Sequence, residues 1–556
     1  MPITRRKFWQ YLQIVCSLEN QQQVETVENP ENTMTVSKKF IKVLKSSFRV
    51  TNVDYENQTT KTQKKMIDDV EAKMDRLFRD VIDSEDTKFD DRVTLALSYL
   101  YMAYIYIDDK DAIQTSKSYL TKCLELLKEN ELDCKAILIV LRALNELSYI
   151  ELVTGNIIEN VSHLNKALEL YLMYTKGNDD YPVPIDVASV LSIEDKISCK
   201  RLLQHIYETT LTALLDVDDN NYLPLCSEKT DIIKKALICM HKRLDDQLTT
   251  KIYNYPEWII NSVILSNYLV RYGRFTEARN HLAAANFVLQ KYFADICQQV
   301  ENENYTKCKA QDRYRHATAM TTLYWAKYGL ALLNLSRKRA IIRREDNEAN
   351  NSLSSKSECP RCTKFEMQPK GLLIFSDIEK DLEEFAVQIT DKCPLDYKEA
   401  KKVFVDILKW FNDVKTYVIN SNIITDSKIL NEFEIGLGVS TAYRYLASFE
   451  QDKSKKIKLY KRQADSLEKM IQMFQSSTSI QTENIERFST ELIFSYSTVV
   501  DIMTDHLRAD KDDLTEKESL EVKLFSQYTL NALKLYLKLS MINDPTITLN
   551  KQINDS

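Results

Sequence analysis

Residues 256–292 read PEWIINSVILSNYLVRYGRFTEARNHLAAANFVLQKY, and this stretch decides the fold class of the chain. Its apolar residues recur every three or four positions, which is the spacing of a helix that buries one face. The buried face of the first helix is predicted to consist of Ile259, Ile260, Val263, Ile264, Tyr268 and Leu269. Gly273 interrupts the pattern, and a glycine can turn the backbone at no steric cost. The spacing then resumes from Phe275, so the stretch predicts two helices joined by a short turn.

Two further windows repeat the second of these helices. KSYLTKCLELL (117–127) and VSHLNKALELY (161–171) share with ARNHLAAANFV (278–288) a leucine followed three residues later by a small residue. Around Gly273, an aromatic residue two positions on and an alanine five positions on are typical of a tetratricopeptide (TPR) repeat. We therefore predict an all-α chain, built as a TPR-like helical-repeat solenoid in two subdomains. The three leucines are Leu120, Leu164 and Leu282.

The composition supports this fold and limits the function. Only 7 Gly and 10 Pro occur in 556 residues, which favours long helices and few turns. The formal net charge of −6 argues against nucleic acid as the main partner. The 11 scattered Cys are typical of reduced core residues in a cytoplasmic protein. No run of eighteen apolar residues occurs, so we expect no membrane insertion.

The chain divides into five parts by its pattern. We predict a helical lead-in and polar loop at 1–64, then a TPR-like N-terminal subdomain at 65–335. Residues 336–371 are polar and rich in Ser and Asn, which is typical of a flexible linker or long loop. Helical spacing predicts a C-terminal helical-repeat subdomain at 372–541, and residues 542–556 are expected to form a disordered tail.

Signals of catalysis are weak in this sequence. Neither the P-loop pattern nor the dinucleotide-binding glycine pattern occurs, and there is no HExxH motif. Cys359 and Cys362 form a CxxC pair, which can supply half a zinc site or a redox pair. Further ligands at suitable spacing are missing, so the two cysteines are weak metal candidates. We predict a protein that is not an enzyme, with no cofactor and no small-molecule substrate.

Three blocks of sequence resemble the KIF-binding protein (kinesin-binding protein) family. The first combines a Pro-Glu-Trp helix start, a Leu-Ser pair, a Glu-Ala-Arg run and an Ala-Ala-Asn run within 255–289. The second block is CPLDYKEAKKVF (393–404), and the third is LASFEQDKSKKIKLYKRQADSLE (446–468). The blocks keep the family order, and the resemblance covers most of 90–540. The matching residues of the first block are Pro256–Trp258, Leu265–Ser266, Glu277–Arg279 and Ala284–Asn286.

The resemblance implies a TPR-containing α-solenoid that binds the motor domains of a subset of kinesins and prevents them from engaging microtubules. It implies a cytoplasmic, cytoskeleton-associated regulator of microtubule-based transport, with a partner surface in the groove of the N-terminal subdomain. Family members continue with further helices beyond the equivalent of residue 541, so it is open whether the C-terminus is complete. The candidate partner-binding residues are Lys242, Arg243, Tyr253, Tyr255, Asn261 and Asn267.

One alternative function belongs to another class. A TPR co-chaperone clamps the carboxylate at the end of a peptide, and a general adaptor binds other protein segments. A carboxylate clamp needs Lys, Arg and Asn on successive first helices of the repeats. The first helix TLALSYLYMAYIY (94–106) carries neither Lys nor Arg, which counts against the co-chaperone.

Overall fold

A computed structural model of the chain shows helices and no strand among the residues that it describes, so the predicted all-α class is confirmed. The chain folds into two compact units, Pro2–Met240 and His241–Ser556. The structure describes residues 34–52, 60–84, 87–176, 182–194, 198–216, 227–251, 254–297, 304–349, 372–385, 391–420, 426–475, 482–509, 520, 522–530 and 533–534.

The first unit is built on antiparallel helical hairpins. Helices α3 and α4 form one hairpin and α5 and α6 the next, while α1 and α2 pack against α3 and α8 packs against α5 and α6. The helices are α1 (Lys38–Asn52), α2 (Thr60–Ile82), α3 (Phe89–Tyr106), α4 (Ile113–Leu127), α5 (Ile137–Val153), α6 (Ile157–Tyr174), α7 (Val187–Val190) and α8 (Cys199–Asp216). Helix α9 (Ser227–Thr250) contains the boundary between the two units.

Helices α3 and α5 are apolar on nearly every side, and both lie inside the first unit. A helix of this kind has to be covered by neighbours on all faces. Tyrosines on α3 and α4 reach the carboxylates of α2: the Tyr106 hydroxyl donates to Glu71 Oε1 at 3.1 Å, and Tyr99 donates to Asp75 Oδ1 at 3.3 Å. Tyr119 also donates to Glu71. Burial raises the pKa of Tyr99 and Tyr119 well above the usual range, so both keep their protons.

The second unit continues with pairs of neighbouring helices. Helix pairs α10 and α11, α12 and α14, and α15 and α16 are neighbours, and each pair packs against the next along the chain. This nearest-neighbour stacking is consistent with a helical solenoid. The helices are α10 (Tyr255–Arg271), α11 (Phe275–Tyr292), α12 (Asn304–Ala349), α13 (Glu379–Phe385), α14 (Tyr397–Asn420), α15 (Asp426–Ala447), α16 (Lys453–Gln475) and α17 (Thr482–Ala509).

The three repeated sequence windows occupy equivalent places. Each lies in the second helix of a hairpin, in α4, α6 and α11, and its leucine is completely buried. The small residue three positions later is buried too, because the two helices of a hairpin approach each other there. The paired positions are Leu120 with Cys123, Leu164 with Ala167, and Leu282 with Ala285.

The predicted division of the chain stays a prediction, although several helix bounds bear on it. Helix α12 runs to Ala349, so the polar segment 336–371 begins as helix, and residues 350–371 lie outside the described residues. Within the predicted lead-in and loop, 34–52 and 60–64 are described, and the predicted tail 542–556 is not. None of the described helices contains an apolar run long enough to cross a lipid bilayer.

Candidate functional site

Helix α10 carries three of the six predicted partner-binding residues. Pro256 stands in the first turn of α10, where its missing N–H group costs nothing. Gly273 ends the turn with a φ of 74°, which favours glycine. Helix α10 packs against both α11 and α12, and the rest of its surface is only partly covered.

Aromatic residues fix the start of α10. The Trp258 side chain is 1% exposed, and its Nε1–H donates to the carbonyl oxygen of Leu244 at 3.0 Å. Tyr255 stacks on Tyr292 with ring centroids 5.4 Å apart and planes 13° from parallel. The Tyr255 hydroxyl donates to Asp295 Oδ2 at 2.5 Å. The first turn of the helix is therefore held to α9 and to the end of α11.

Two buried histidines join α9 to α11. His281 Nδ1 lies 2.8 Å from the carbonyl oxygen of Glu277, which can only accept, so this nitrogen carries the proton. Neutral His281 then accepts at Nε2, which lies 3.1 Å from Nδ1 of His241, and His241 donates. Burial lowers the pKa of His241 to about 4 and that of His281 to about 3. With both ring nitrogens engaged, His281 is not arranged as a metal ligand.

An extended segment, residues 372–375, closes this corner of the unit. The backbone N–H of Leu373 donates to Glu277 Oε1 at 3.1 Å, and that of Phe375 donates to Asn280 Oδ1 at 3.0 Å. Arg274 forms an ion pair with Glu277 and orients its carboxylate. The Phe375 ring is fully buried, and its centroid lies 4.8 Å from the His281 ring, 5.2 Å from His241 and 5.5 Å from Trp258. The apolar spacing carried no signal for this contact.

The predicted partner-binding residues fall on two helices. Lys242 is exposed and Arg243 half-buried on α9, whereas Asn261 and Asn267 are half-buried on α10 together with Tyr255. Tyr253 lies outside the described residues, as do the weak metal candidates Cys359 and Cys362. That these residues bind a partner stays a prediction.

The partly exposed side of α10 forms a single surface, which we call the α10 face. Asn261 and Asn267 stand at its two edges by helical spacing, and Ile264 lies between them. The apolar spacing predicted Ile260 and Ile264 to be core residues, but both are only half-buried, because α11 and α12 cover the other sides of the helix. The face consists of Glu257, Ile260, Asn261, Ile264, Asn267 and Arg271.

The known proteins that match this chain share one family description. The family model described as "KIF-1 binding protein C terminal" matches residues 256–555, more than half of the 556-residue chain. A protein of Drosophila melanogaster named KIF-binding protein is 25% identical over 450 residues, covering 80% of this chain and 69% of that protein. The Xenopus tropicalis protein of the same name is 27% identical over 366 residues, covering 65% and 57%.

Two further matches extend the comparison. The Homo sapiens KIF-binding protein is 23% identical over 484 residues, covering 86% of this chain and 74% of that protein. A solved structure titled "Kinesin binding protein (KBP)" aligns with 91% of this chain and 100% of that chain, at 14% identity and a TM-score of 0.31. A score this low supports no argument, so the fold rests on the helices described above.

Proposed function

This chain belongs to the KIF-binding protein family, and on that premise we propose that it binds the motor domains of a subset of kinesins and keeps them from attaching to microtubules. The names of its relatives support kinesin as the partner. The family match over 256–555, which covers nearly all of α10 and the whole of α11, carries the proposal. The chain would act in the cytoplasm as a cytoskeleton-associated binding protein, without catalysis of its own.

The α10 face suits a protein partner. Apolar Ile260 and Ile264 stand in its centre, and the polar Asn261 and Asn267 stand at its rim. Protein interfaces have the same arrangement, with an apolar centre that excludes water and a rim that hydrogen-bonds. Arg271 lies over the ring of Tyr268 with its guanidinium 5.0 Å from the centroid, so the end of the face is ordered as well.

Charge gives the physical reason for competition with microtubules. A motor surface that holds an acidic microtubule is basic, and the net charge of this chain is −6. Opposite charges steer two proteins together and raise the rate of association. A mildly acidic solenoid that occupies this surface of the motor would exclude the microtubule from it.

The co-chaperone alternative has less support. A carboxylate clamp needs basic side chains on the exposed face of successive first helices. Helix α3 is such a first helix, but it is buried along nearly its whole length and has no Lys or Arg over 94–106. A general adaptor function would be favoured if no kinesin motor domain bound the chain.

The test is co-sedimentation of purified kinesin motor domains with microtubules, with and without the chain. We expect some motors to move from pellet to supernatant in proportion to added chain. Ile264→Lys places a charge in the centre of the α10 face and should weaken binding of those motors by at least about 1.4 kcal/mol, or tenfold. Gln290→Lys, at an exposed position of α11, is the matched control and should bind as the unchanged chain does.

The possible results separate the function from the site. If every motor still pellets and none binds the chain, the proposed function is wrong. If motors are released but Ile264→Lys acts like the unchanged chain, the interface lies elsewhere. The double reversal Lys242→Glu with Arg243→Glu then tests the two candidate residues on α9 in the same assay.

A further inference from the structure

Helix α1, in the first unit, carries an unusual concentration of positive charge. Its fifteen residues, KKFIKVLKSSFRVTN, include five basic side chains and no acidic one. Lys39 is paired, with its ammonium nitrogen 3.5 Å from Asp80. The other four repeat at intervals of four, three and four residues, which places them in one line along the helix. These four, all exposed, form what we call the α1 stripe: Lys38, Lys42, Lys45 and Arg49.

The opposite side of α1 is fixed to the core, so the stripe has a defined direction. Phe40, Val43 and Leu44 are buried where α1 packs against α3. At the start of the helix, the Ser37 N–H and hydroxyl each donate to the Asp91 carboxylate at 2.7 Å. At its end, the Thr51 hydroxyl donates to the carbonyl oxygen of Tyr101 at 2.9 Å. These contacts prevent α1 from rotating about its axis, so its basic side cannot turn toward acidic side chains of the unit.

The four stripe cations have no acidic partner within the described parts of the chain. The ion pairs found there on this unit engage His205 and five other lysines, which are Lys39, Lys117, Lys122, Lys135 and Lys166. Instead, the stripe lines an open groove of about 330 Å³, together with Ile41 and Ser46. Four neighbouring cations without counter-charges repel one another, and an anion in the groove relieves that repulsion. Because the chain as a whole is acidic, this charge arrangement is local to α1.

We propose that the α1 stripe docks an extended acidic segment of a partner protein. Successive cations of the stripe are about 5–6 Å apart along the axis, and the whole stripe spans about 16 Å. In an extended peptide, side chains on the same side are about 6.6–6.8 Å apart, so about six residues cover the stripe. Carboxylates on alternate residues of such a peptide meet the cations nearly one to one.

Two other classes of polyanion fit the groove less well. Single-stranded nucleic acid binds where aromatic side chains stack on its bases. The two aromatic residues of α1 are turned inward instead: Phe40 is buried, and Phe48 packs on Tyr101 with centroids 5.5 Å apart. A membrane-surface helix inserts large apolar side chains. The apolar residue that lines this groove, Ile41, is half-buried between the basic residues.

The test measures fluorescence anisotropy of a labelled hexaglutamate peptide titrated with the full chain at low salt. We expect saturable binding that weakens as salt is added, and no binding of a hexaglutamine peptide. Lys42→Glu with Lys45→Glu should weaken binding about tenfold, because two ion pairs are lost and repulsion replaces them. The matched control is Lys110→Glu with Lys128→Glu, which makes the same charge change at exposed positions of the same unit.

Each outcome decides the proposal. A loss in the stripe variant alone, with an unchanged circular dichroism spectrum and melting temperature, supports it. The neutral variant Lys42→Gln with Lys45→Gln should show a smaller loss in the same direction. Absence of peptide binding, or an equal loss in both double variants, overturns it. Tighter binding to phosphatidylserine vesicles or to an oligothymidylate would assign the stripe to that class and reject the peptide. None of these binding measurements depends on kinesin binding.

Discussion

Two glycines on α15 allow a matched test of how closely the helices of the second unit pack. A Cβ atom added at Gly438 would lie 2.2 Å from Cζ of Phe411, a ring on α14 that is 2% exposed. A Cβ atom added at Gly436 would lie 2.6 Å from Cε of Met470, on α16. Replacing either glycine with alanine therefore makes a similar overlap, at Gly438 with a confined ring and at Gly436 with a flexible methionine side chain.

The expected effects follow from two opposing terms. Replacing a helical glycine with alanine gains up to about 1 kcal/mol of helix propensity. Against this, forcing extra volume into a packed core costs about 1–3 kcal/mol, and more where the neighbour cannot move. Ordinary contacts begin at 3.4 Å, so the Phe411 ring would have to move by more than about 1 Å. We expect Gly438→Ala to lower the free energy of unfolding by about 1–2 kcal/mol.

For Gly436→Ala we expect a change within about 0.5 kcal/mol, because the Met470 side chain can change rotamer. Urea unfolding followed by tryptophan fluorescence measures both, and Trp410 on α14 adjoins Phe411 in sequence. Phe411→Leu should reduce the cost of Gly438→Ala in a double-mutant cycle. If Gly438→Ala is as stable as the unchanged chain, or if Gly436→Ala costs more, the close packing of α15 on α14 is wrong.

Three further predictions concern the second unit. Phe375→Ala should cost about 3–5 kcal/mol of stability in urea unfolding, because it empties a site enclosed by aromatic rings. Because the pKa of His241 is depressed in the folded chain, the unfolded chain takes up the proton first as the pH falls. The stability that depends on neutral His241 is therefore fully present above pH 6.5 and decreases as the pH is lowered toward 4. His241→Asn should reduce this pH dependence by up to about 1.4 kcal/mol per pH unit, which unfolding at several pH values measures. Arg444 donates from Nη1 to both oxygens of Glu491, at 3.0 and 2.8 Å, and its guanidinium lies over the rings of Tyr445 and Phe494. A lysine could keep the hydrogen bonds but would lose the stacking of the planar group, so Arg444→Lys should cost about 1 kcal/mol in thermal unfolding.

The sequence predicts helices and hairpins well because their determinants are local. Spacing of apolar residues and the turn at Gly273 depend on neighbours within a few positions, and the structure places α10 and α11 on either side of that turn. The buried leucine and small residue in the three windows follow from the same cause. A residue pair three positions apart on one helix face meets the same partner helix in each hairpin.

Contacts between distant parts of the chain could not be predicted in this way. The extended segment at 372–375 reaches Asn280 and Glu277 across 95 or more residues, and a short apolar run does not indicate which surface it will cover. When a helix carries apolar residues on more than one face, the neighbouring helices determine which face stays exposed, as the half-buried Ile264 shows. The exposed stripe on α1 depends likewise on α1 packing against α3.

The polar groups at the corner of α9, α10 and α11 bear on where a partner can be recognised. Trp258 gives its N–H group to Leu244, His281 uses both ring nitrogens, and Glu277 serves Arg274 and the backbone of Leu373. Diverting any of these groups to a partner would leave a buried donor or acceptor unsatisfied, at a cost of about 1–3 kcal/mol. Recognition at the proposed α10 face, whose side chains are only partly covered, would have no such cost, and the hydrogen bonds between α9, α10 and α11 would hold α10 in place for it.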